Sequence, residues 1–211
     1  MKKITRKKHL EMRLQSIPSH PNPDVNLEQY TTPSIIASDL VWNAFSLGDV
    51  ENRNVVDLGC GTGVFAIACS LMGAYSSTGI DVDEDSINLA RCIADNLKLD
   101  NLNFIVSDVD DFNGTLNVDT VFQNPPFGSQ RKADSGQDLK FIQKAIELGT
   151  EVLYSFHMAS TEEFLIKYYE DNDLNITHIF RYQFPIPKIY DFHKDESRDV
   201  KVVVLRIENF D

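Results

Sequence analysis

Four consecutive residues, Asn124-Pro125-Pro126-Phe127, follow the apolar run "TVFQ" and carry the most pointed chemistry in this chain. Proline fixes φ, lacks an N–H and pushes the residue before it into extended geometry, so the tetrapeptide reads as a stiff strand-ending loop. The Asn124 side-chain oxygen and the Pro125 carbonyl can then face one way, as two acceptors without ordinary basic strength. Such a pair suits an exocyclic amine whose lone pair is delocalised into a ring or a carbonyl. Accepting both N–H hydrogens orients the nitrogen as it pyramidalises and turns its lone pair toward an electrophilic methyl group. Pro126 completes the stiff turn, and Phe127 offers a face on which a flipped or single-stranded base can stack. The bland alternative is a turn with Phe127 folded into the core.

Upstream, "VVDLGCGTGVF" sets Asp57, Gly59, Gly61 and Gly63 between an apolar run and a helical one. The glycines let the backbone turn tightly and approach a ligand, and the helix beyond them offers its amino terminus to an anion. A nicotinamide or flavin fingerprint would place glycine at position 64, which is valine. An acid at the strand end disfavours a pyrophosphate and suits a ligand that bears an ammonium group. Asp81 follows the glycines by about 20 residues, where a carboxylate accepts both hydroxyls of a ribose. Asp83 is an alternative acceptor, or the cap of the next helix. Asp108 can accept from an adenine amine while Val109 flanks the ring; Asp110 and Asp111 read as loop caps or solvated acids. Ammonium, ribose and adenine are together the recognition groups of S-adenosylmethionine.

The elements that must position these residues follow from periodicity. Leu10, Leu14 and Ile17 stand at helical spacing in a basic N-terminal segment, and "PSHPNPDVN" breaks it into an extended connector. A helix restarts with Thr32 as N-cap and Pro33 in its first turn, and Gly48 closes it. Strand and helix patterns then alternate as far as "TEEFLIKYYEDN", and two further strands end the chain as a hairpin across 185–199. Repeated strand–helix units mean parallel strands with helices on both faces. The expected fold is α/β: one Rossmann-like, doubly wound domain over residues 1–211, with 1–30 as basic helix and connector. Its seven-stranded sheet is mostly parallel with an antiparallel C-terminal edge strand.

With 211 residues, 42% of them hydrophobic, the chain suffices for one well-buried domain and is short for two. No apolar run reaches the roughly 18 residues of a membrane span, and the N-terminus lacks a signal-peptide core, so a cytoplasmic protein is expected. Cys60, Cys69 and Cys92 have no C-x-x-C spacing and are expected to act as small apolar residues. The five scattered histidines predict no metal site. The net charge of −12 opposes nonspecific polyanion binding, yet residues 1–13 hold six Lys/Arg against Glu11 alone. A basic arm on an acidic body can engage nucleic acid locally, or it is simply a solvated helix.

Taken together, "LEQYTTP", "VVDLGCGTGVFAI", "GIDVDEDSI", "NPPFGSQ", "LYSFH" and "FHKDESRDVKVVVLRI" resemble the methyltransferase-like five family. That family belongs to the class I S-adenosylmethionine-dependent methyltransferases and modifies N6 of an adenosine in small-subunit ribosomal RNA. The resemblance implies that Gln29 and Thr32 close over the cofactor, and that Gly59, Thr62 and Val64 supply glycine-loop contacts. It implies Asp81 for the ribose, Asp108 and Val109 for the adenine, and Asn124 through Phe127 for the reaction. It also implies a small zinc-binding methyltransferase activator protein as heterodimer partner, added to an edge of the sheet. Thr31 and Thr62 depart from the family's eukaryotic pattern, which has proline and cysteine there. The rival readings are a protein-glutamine N5 methyltransferase, a DNA adenine-N6 methyltransferase and a non-catalytic S-adenosylmethionine-binding scaffold. Phenylalanine at 127, the basic arm and the absence of a target-recognition domain favour RNA.

Overall fold

Alternating strand and helix patterns fold here into three layers around a seven-stranded sheet in a computed structural model. The structure describes residues 4–18, 20, 31–112, 117–126, 137–187 and 197–208. The expected residues Gln29 and Phe127, and the loop that carries "FHKDE", lie outside them.

In chain order the elements are α1 (Lys7–Leu14), α2 (Ser34–Leu47), β1 (Asn54–Leu58), α3 (Val64–Leu71), β2 (Ser76–Asp81) and α4 (Glu84–Leu97). There follow β3 (Leu102–Val106), β4 (Thr120–Gln123), α5 (Gln137–Glu147), β5 (Val152–Met158), α6 (Glu162–Asp171), β6 (Asn175–Pro187) and β7 (Ser197–Glu208). The strand order is β3-β2-β1-β4-β5-β7-β6, with the first five strands parallel. β7 runs antiparallel to both β5 and β6. The sheet is therefore the expected one, and β7 inserts beside β5 so that β6 takes the outermost place. The order reverses between β1 and β4, and in such sheets a ligand crevice opens beyond the carboxyl ends at that point.

Each face of the sheet has its own core. One joins Leu10 and Leu14 of α1 to α2, α3, α4 and the side chains Phe122, Tyr154 and Phe156. The other packs Val56, Val121, Leu153 and Leu205 under Ile142 of α5 and Leu165 and Tyr169 of α6. In the first core Phe65 stacks on Phe122 with centroids 5.6 Å apart, and Phe122 stacks on Tyr154 at 4.8 Å. Phe65 stands on the first turn of α3 and Phe122 stands two residues before Asn124. This aromatic column thus sets the glycine loop and the proline loop relative to one another.

Two local expectations are corrected. Thr32 makes no cap bond to α2; Pro33 occupies the N-cap position, and Ile36 and Ala37 donate to its carbonyl. The Thr32 hydroxyl instead meets the Asn124 side chain at 3.1 Å, so a long-range partner overrides the local capping preference. Cys92 is exposed on the outer face of α4, whereas Cys60 and Cys69 are buried as small apolar residues. Gly48 closes α2 in the left-handed conformation as its sequence position suggests.

Candidate active site

A cavity of about 240 Å³ opens where the ends of β1, β2, β3 and β4 converge. Its wall carries Thr32, Asp57, Gly59, Gly61, Thr62 and Val64 from the first half of the expected set. It also carries Asp81, Asp108, Val109, Asn124 and Pro126 from the second. Pro125 is buried behind Asn124 and does not line the cavity.

The glycine loop is built by its own backbone. Gly59 and Cys60 donate to the Ile80 carbonyl at the end of β2, and Gly63 donates back to the Cys60 carbonyl. Gly59, Gly61 and Gly63 all have φ between 52° and 82°, a region that costs an L side chain about 1–2 kcal/mol. They differ in what a side chain would meet. A Cβ on Gly63 would lie 2.7 Å from the Phe104 ring, whereas one on Gly61 would meet nothing within 4 Å. Gly63 is thus required for packing, and Gly61 leaves open space on the cavity side.

Asp57 is 1% exposed and accepts from the Ala66 amide at 3.0 Å. Two amides in the first turn of α3, those of Phe65 and Ala66, are therefore engaged by the protein's own carboxylate. Burial raises the Asp57 pKa from the ordinary 3.8 to about 7, against the opposing pull of the Ala66 and Phe65 amides. Burial also raises Asp81, which accepts from the Gly61 amide at 2.7 Å and the Asp83 amide at 2.9 Å. Each oxygen keeps a further lone pair for a hydroxyl. Asp83 caps α4, accepting from the Asp85 amide and the Ser86 hydroxyl. Asp108 accepts the Asp110 amide at 2.9 Å, which turns the loop after β3 and presents buried Val109 to the cavity. Asp110 does more than solvate this loop: it pairs with Lys140 of α5 at 3.1 Å.

At the β4 end the Asn124 amide is oriented by the protein. Its Nδ2 donates to Thr32 Oγ1 at 3.1 Å, while its Oδ1 is buried and accepts no hydrogen bond among the described residues. A buried acceptor without a donor costs about 1–3 kcal/mol, and on a cavity wall it marks the place for a ligand N–H. The residues present thus fit an adenosyl cofactor beside an amine: an acid at each of the β1, β2 and β3 ends, open space over Gly61, and an orphaned acceptor at β4.

Sequence reasoning missed His20, Lys140 and Phe141, all on the same wall. Phe141 carried a signal in hindsight, because its ring fills the space that a side chain on Gly59 would need, at 2.9 Å. His20 and Lys140 carry no local motif. Among the described residues no group of three or more His, Cys, Asp or Glu side chains is placed to hold a metal ion. No helix among them is long and apolar enough to cross a membrane.

A family described as "Methyltransferase domain" matches residues 49–190. The chain is 44% identical to an uncharacterised protein of Methanocaldococcus jannaschii, covering 97% of this chain and 95% of that one. It is 34% identical to the rRNA N(6)-adenosine-methyltransferase METTL5 of Danio rerio, covering 94% of this chain and 97% of that one. A solved Pyrococcus horikoshii structure superposes with a TM-score of 0.87 at 36% identity, covering 99% of this chain and 100% of that one.

Proposed function

Because the chain belongs to the S-adenosylmethionine-dependent methyltransferases of the methyltransferase-like five family, we propose that it methylates the N6 amine of an adenosine in small-subunit ribosomal RNA. The observation that carries this reading is the buried Asn124 Oδ1, whose amide is held by Thr32 through Nδ2 and which has no donor among the described residues, on the wall of the cavity that the acids line. S-adenosylmethionine, when bound, supplies a methyl group activated on a sulfonium.

The chain's own residues do the rest. Asp57 complements the ammonium, Asp81 the ribose, and Asp108 with Val109 the adenine, with Gly59, Gly61, Thr62 and Val64 shaping the wall between them. Gln29 and Thr32 close this end of the site. Asn124 Oδ1 accepts one N6 hydrogen of the substrate and so aims the nitrogen lone pair, without a general base; the Pro125 carbonyl, expected as the second acceptor, belongs to a buried residue off the cavity wall. Positioning and complementarity to the charge developing on nitrogen provide the acceleration. The product's proton then leaves to solvent. Phe127 receives the flipped adenine on its face, worth about 1–3 kcal/mol at comparable stacking sites.

A small zinc-binding activator protein on a sheet edge completes the proposed enzyme in the cytoplasm. Edge strand β3 supports this, because it ends the sheet, is paired with β2 on one side, and leaves Val106 exposed. The test is transfer of a tritiated methyl group to purified small-subunit RNA, large-subunit RNA and release-factor protein, with nucleoside analysis of the product. Label in N6-methyladenosine of the small-subunit RNA is the expected result. Label in glutamine instead would establish the protein-modifying alternative, and label in the large-subunit RNA would correct the substrate.

A further inference from the structure

The connector between α1 and α2 delivers a side chain that neither motif nor family likeness assigns a role. His20 is half-buried as a residue, yet its side chain is 7% exposed, so the ring turns inward while the backbone stays at the surface. His20 lies on the wall of the same cavity as Asp81 and Asp108. Its Nε2 stands 3.0 Å from Asp83 Oδ2. The same carboxylate oxygen accepts the Ser86 hydroxyl at 2.8 Å, and the other accepts the Asp85 amide. Asp83 is therefore fixed by the start of α4 before His20 meets it. The Asp83 amide in turn donates to Asp81 Oδ1 at 2.9 Å, two residues back along the chain. His20 thus stands one carboxylate away from the acid assigned to the ribose. Three residues earlier, Ile17 is buried at 8% exposure in the same core as α1.

We propose that His20 is a cofactor-positioning residue, which walls the ribose end of the cavity and is held there by Asp83. This rests on the reading of the cavity as an S-adenosylmethionine site and deepens it. A surface imidazole fixed only by packing would not need to face inward onto a capped acid at the β2 end. With Nε2 3.0 Å from the Asp83 carboxylate, the ring is held in one orientation. It then presents a flat apolar wall to the adenosyl group and shields the Asp81 contacts from water. Loss of the ring opens that end, so bound ligand dissociates faster.

The experiment measures S-adenosylhomocysteine binding to the full chain by calorimetry and stopped-flow fluorescence. Parent, His20→Ala, His20→Gln and Asp83→Asn proteins are compared, with melting of each in the ligand-free state. Asparagine preserves the α4 cap while removing the charge that holds the imidazole. The expected result for His20→Ala is a dissociation rate and Kd raised about tenfold, the scale of a hydrogen bond to a charged group, with unchanged ligand-free melting. His20→Gln, which can still donate to Asp83, recovers part of the loss, and Asp83→Asn shows an intermediate effect. An unchanged Kd in His20→Ala overturns the proposal. Should His20→Ala also lower ligand-free melting, Asp83→Asn decides: weaker binding at parental melting supports the proposal, and parental binding overturns it. A parent chain that fails to bind S-adenosylhomocysteine sinks the reading of the cavity itself.

Discussion

Asn124 and Thr32 show how much of a site can depend on one hydrogen bond. The Thr32 hydroxyl accepts from Asn124 Nδ2 at 3.1 Å and so holds the amide while its oxygen stays buried without a partner among the described residues. Thr32→Val is expected to lower the methyl-transfer rate about tenfold, the worth of an orienting hydrogen bond, and Thr32→Ser to restore it. Steady-state rates at saturating cofactor check this, and equal rates for valine and serine would contradict it. Asp57 gives a pH dependence. Its folded pKa of about 7 exceeds the ordinary 3.8, so the neutral carboxyl's contribution to stability is full below pH 3.8 and is lost as pH rises through about 7. Binding a cationic amine group favours the ionised form and reverses the preference. Cofactor affinity is therefore expected to rise with pH between about 5.5 and 7, with a proton released on binding, and Asp57→Asn to abolish the slope. Calorimetry in buffers of different ionisation enthalpy reads both quantities; a flat profile in the parent protein would contradict the assignment.

At the scale of elements, the loop between β1 and α3 ranks its glycines by physical need. Gly61→Ala meets only the cost of its positive φ, about 1–2 kcal/mol. Gly63→Ala adds a collision with Phe104 at 2.7 Å, and is expected to cost clearly more stability than Gly61→Ala in denaturant unfolding. The same comparison separates folding from function, because Gly61 lines the cavity and its added methyl meets no protein atom within 4 Å, so Gly61→Ala is expected to weaken cofactor binding. Similar stability losses for the two variants, with parental cofactor affinity in Gly61→Ala, would show that the loop is not organised in this way. This region was also the most legible in the sequence, since glycine spacing and strand-end acids are local patterns. Thr32 was misread as a cap because capping preference is local, whereas its actual partner lies 92 positions away. His20 and Lys140 could not be read at all: a proline-rich connector and a helix face carry no mark of the cavity that they reach.

Across the whole molecule, catalysis and stability sit in different places. Arg206 of β7 meets Asp49 through two bonds of 2.8 and 2.9 Å, and the Tyr154 hydroxyl donates to the same carboxylate at 2.6 Å. The Thr120 hydroxyl at the start of β4 donates to the Asp49 carbonyl, so this buried network ties β4, β5 and β7 far along the strands from the cavity. Asp49→Ala removes two of the bonds to the buried Arg206 guanidinium and leaves it Glu208 and Thr177 as partners. It is expected to cost about 1.5–3 kcal/mol in urea unfolding, the scale of hydrogen bonds to a charged group, while leaving cofactor affinity of the folded protein unchanged. The alternation of strands and helices was foreseeable from periodicity, because each apolar stripe must find a partner; that β7 sits inside β6 was not. The Asp49–Arg206 pair was not, since residues 157 positions apart share no sequence signal. Charge also distributes unevenly: the basic segment projects Arg6, Lys8 and Arg13 from α1, while Lys7 is committed to Asp39 at 2.5 Å. The central claim is that this whole assembly serves one amine gripped by Asn124. Its most direct measurement is the single-turnover rate of N6-methyladenosine formation in small-subunit RNA by parent and Asn124→Ala proteins, both saturated with cofactor. The account predicts a loss of about a hundredfold or more with cofactor affinity nearly intact, the scale of removing one preorganised polar contact to a reacting group. An Asn124→Ala protein that forms N6-methyladenosine at the parental rate would contradict it.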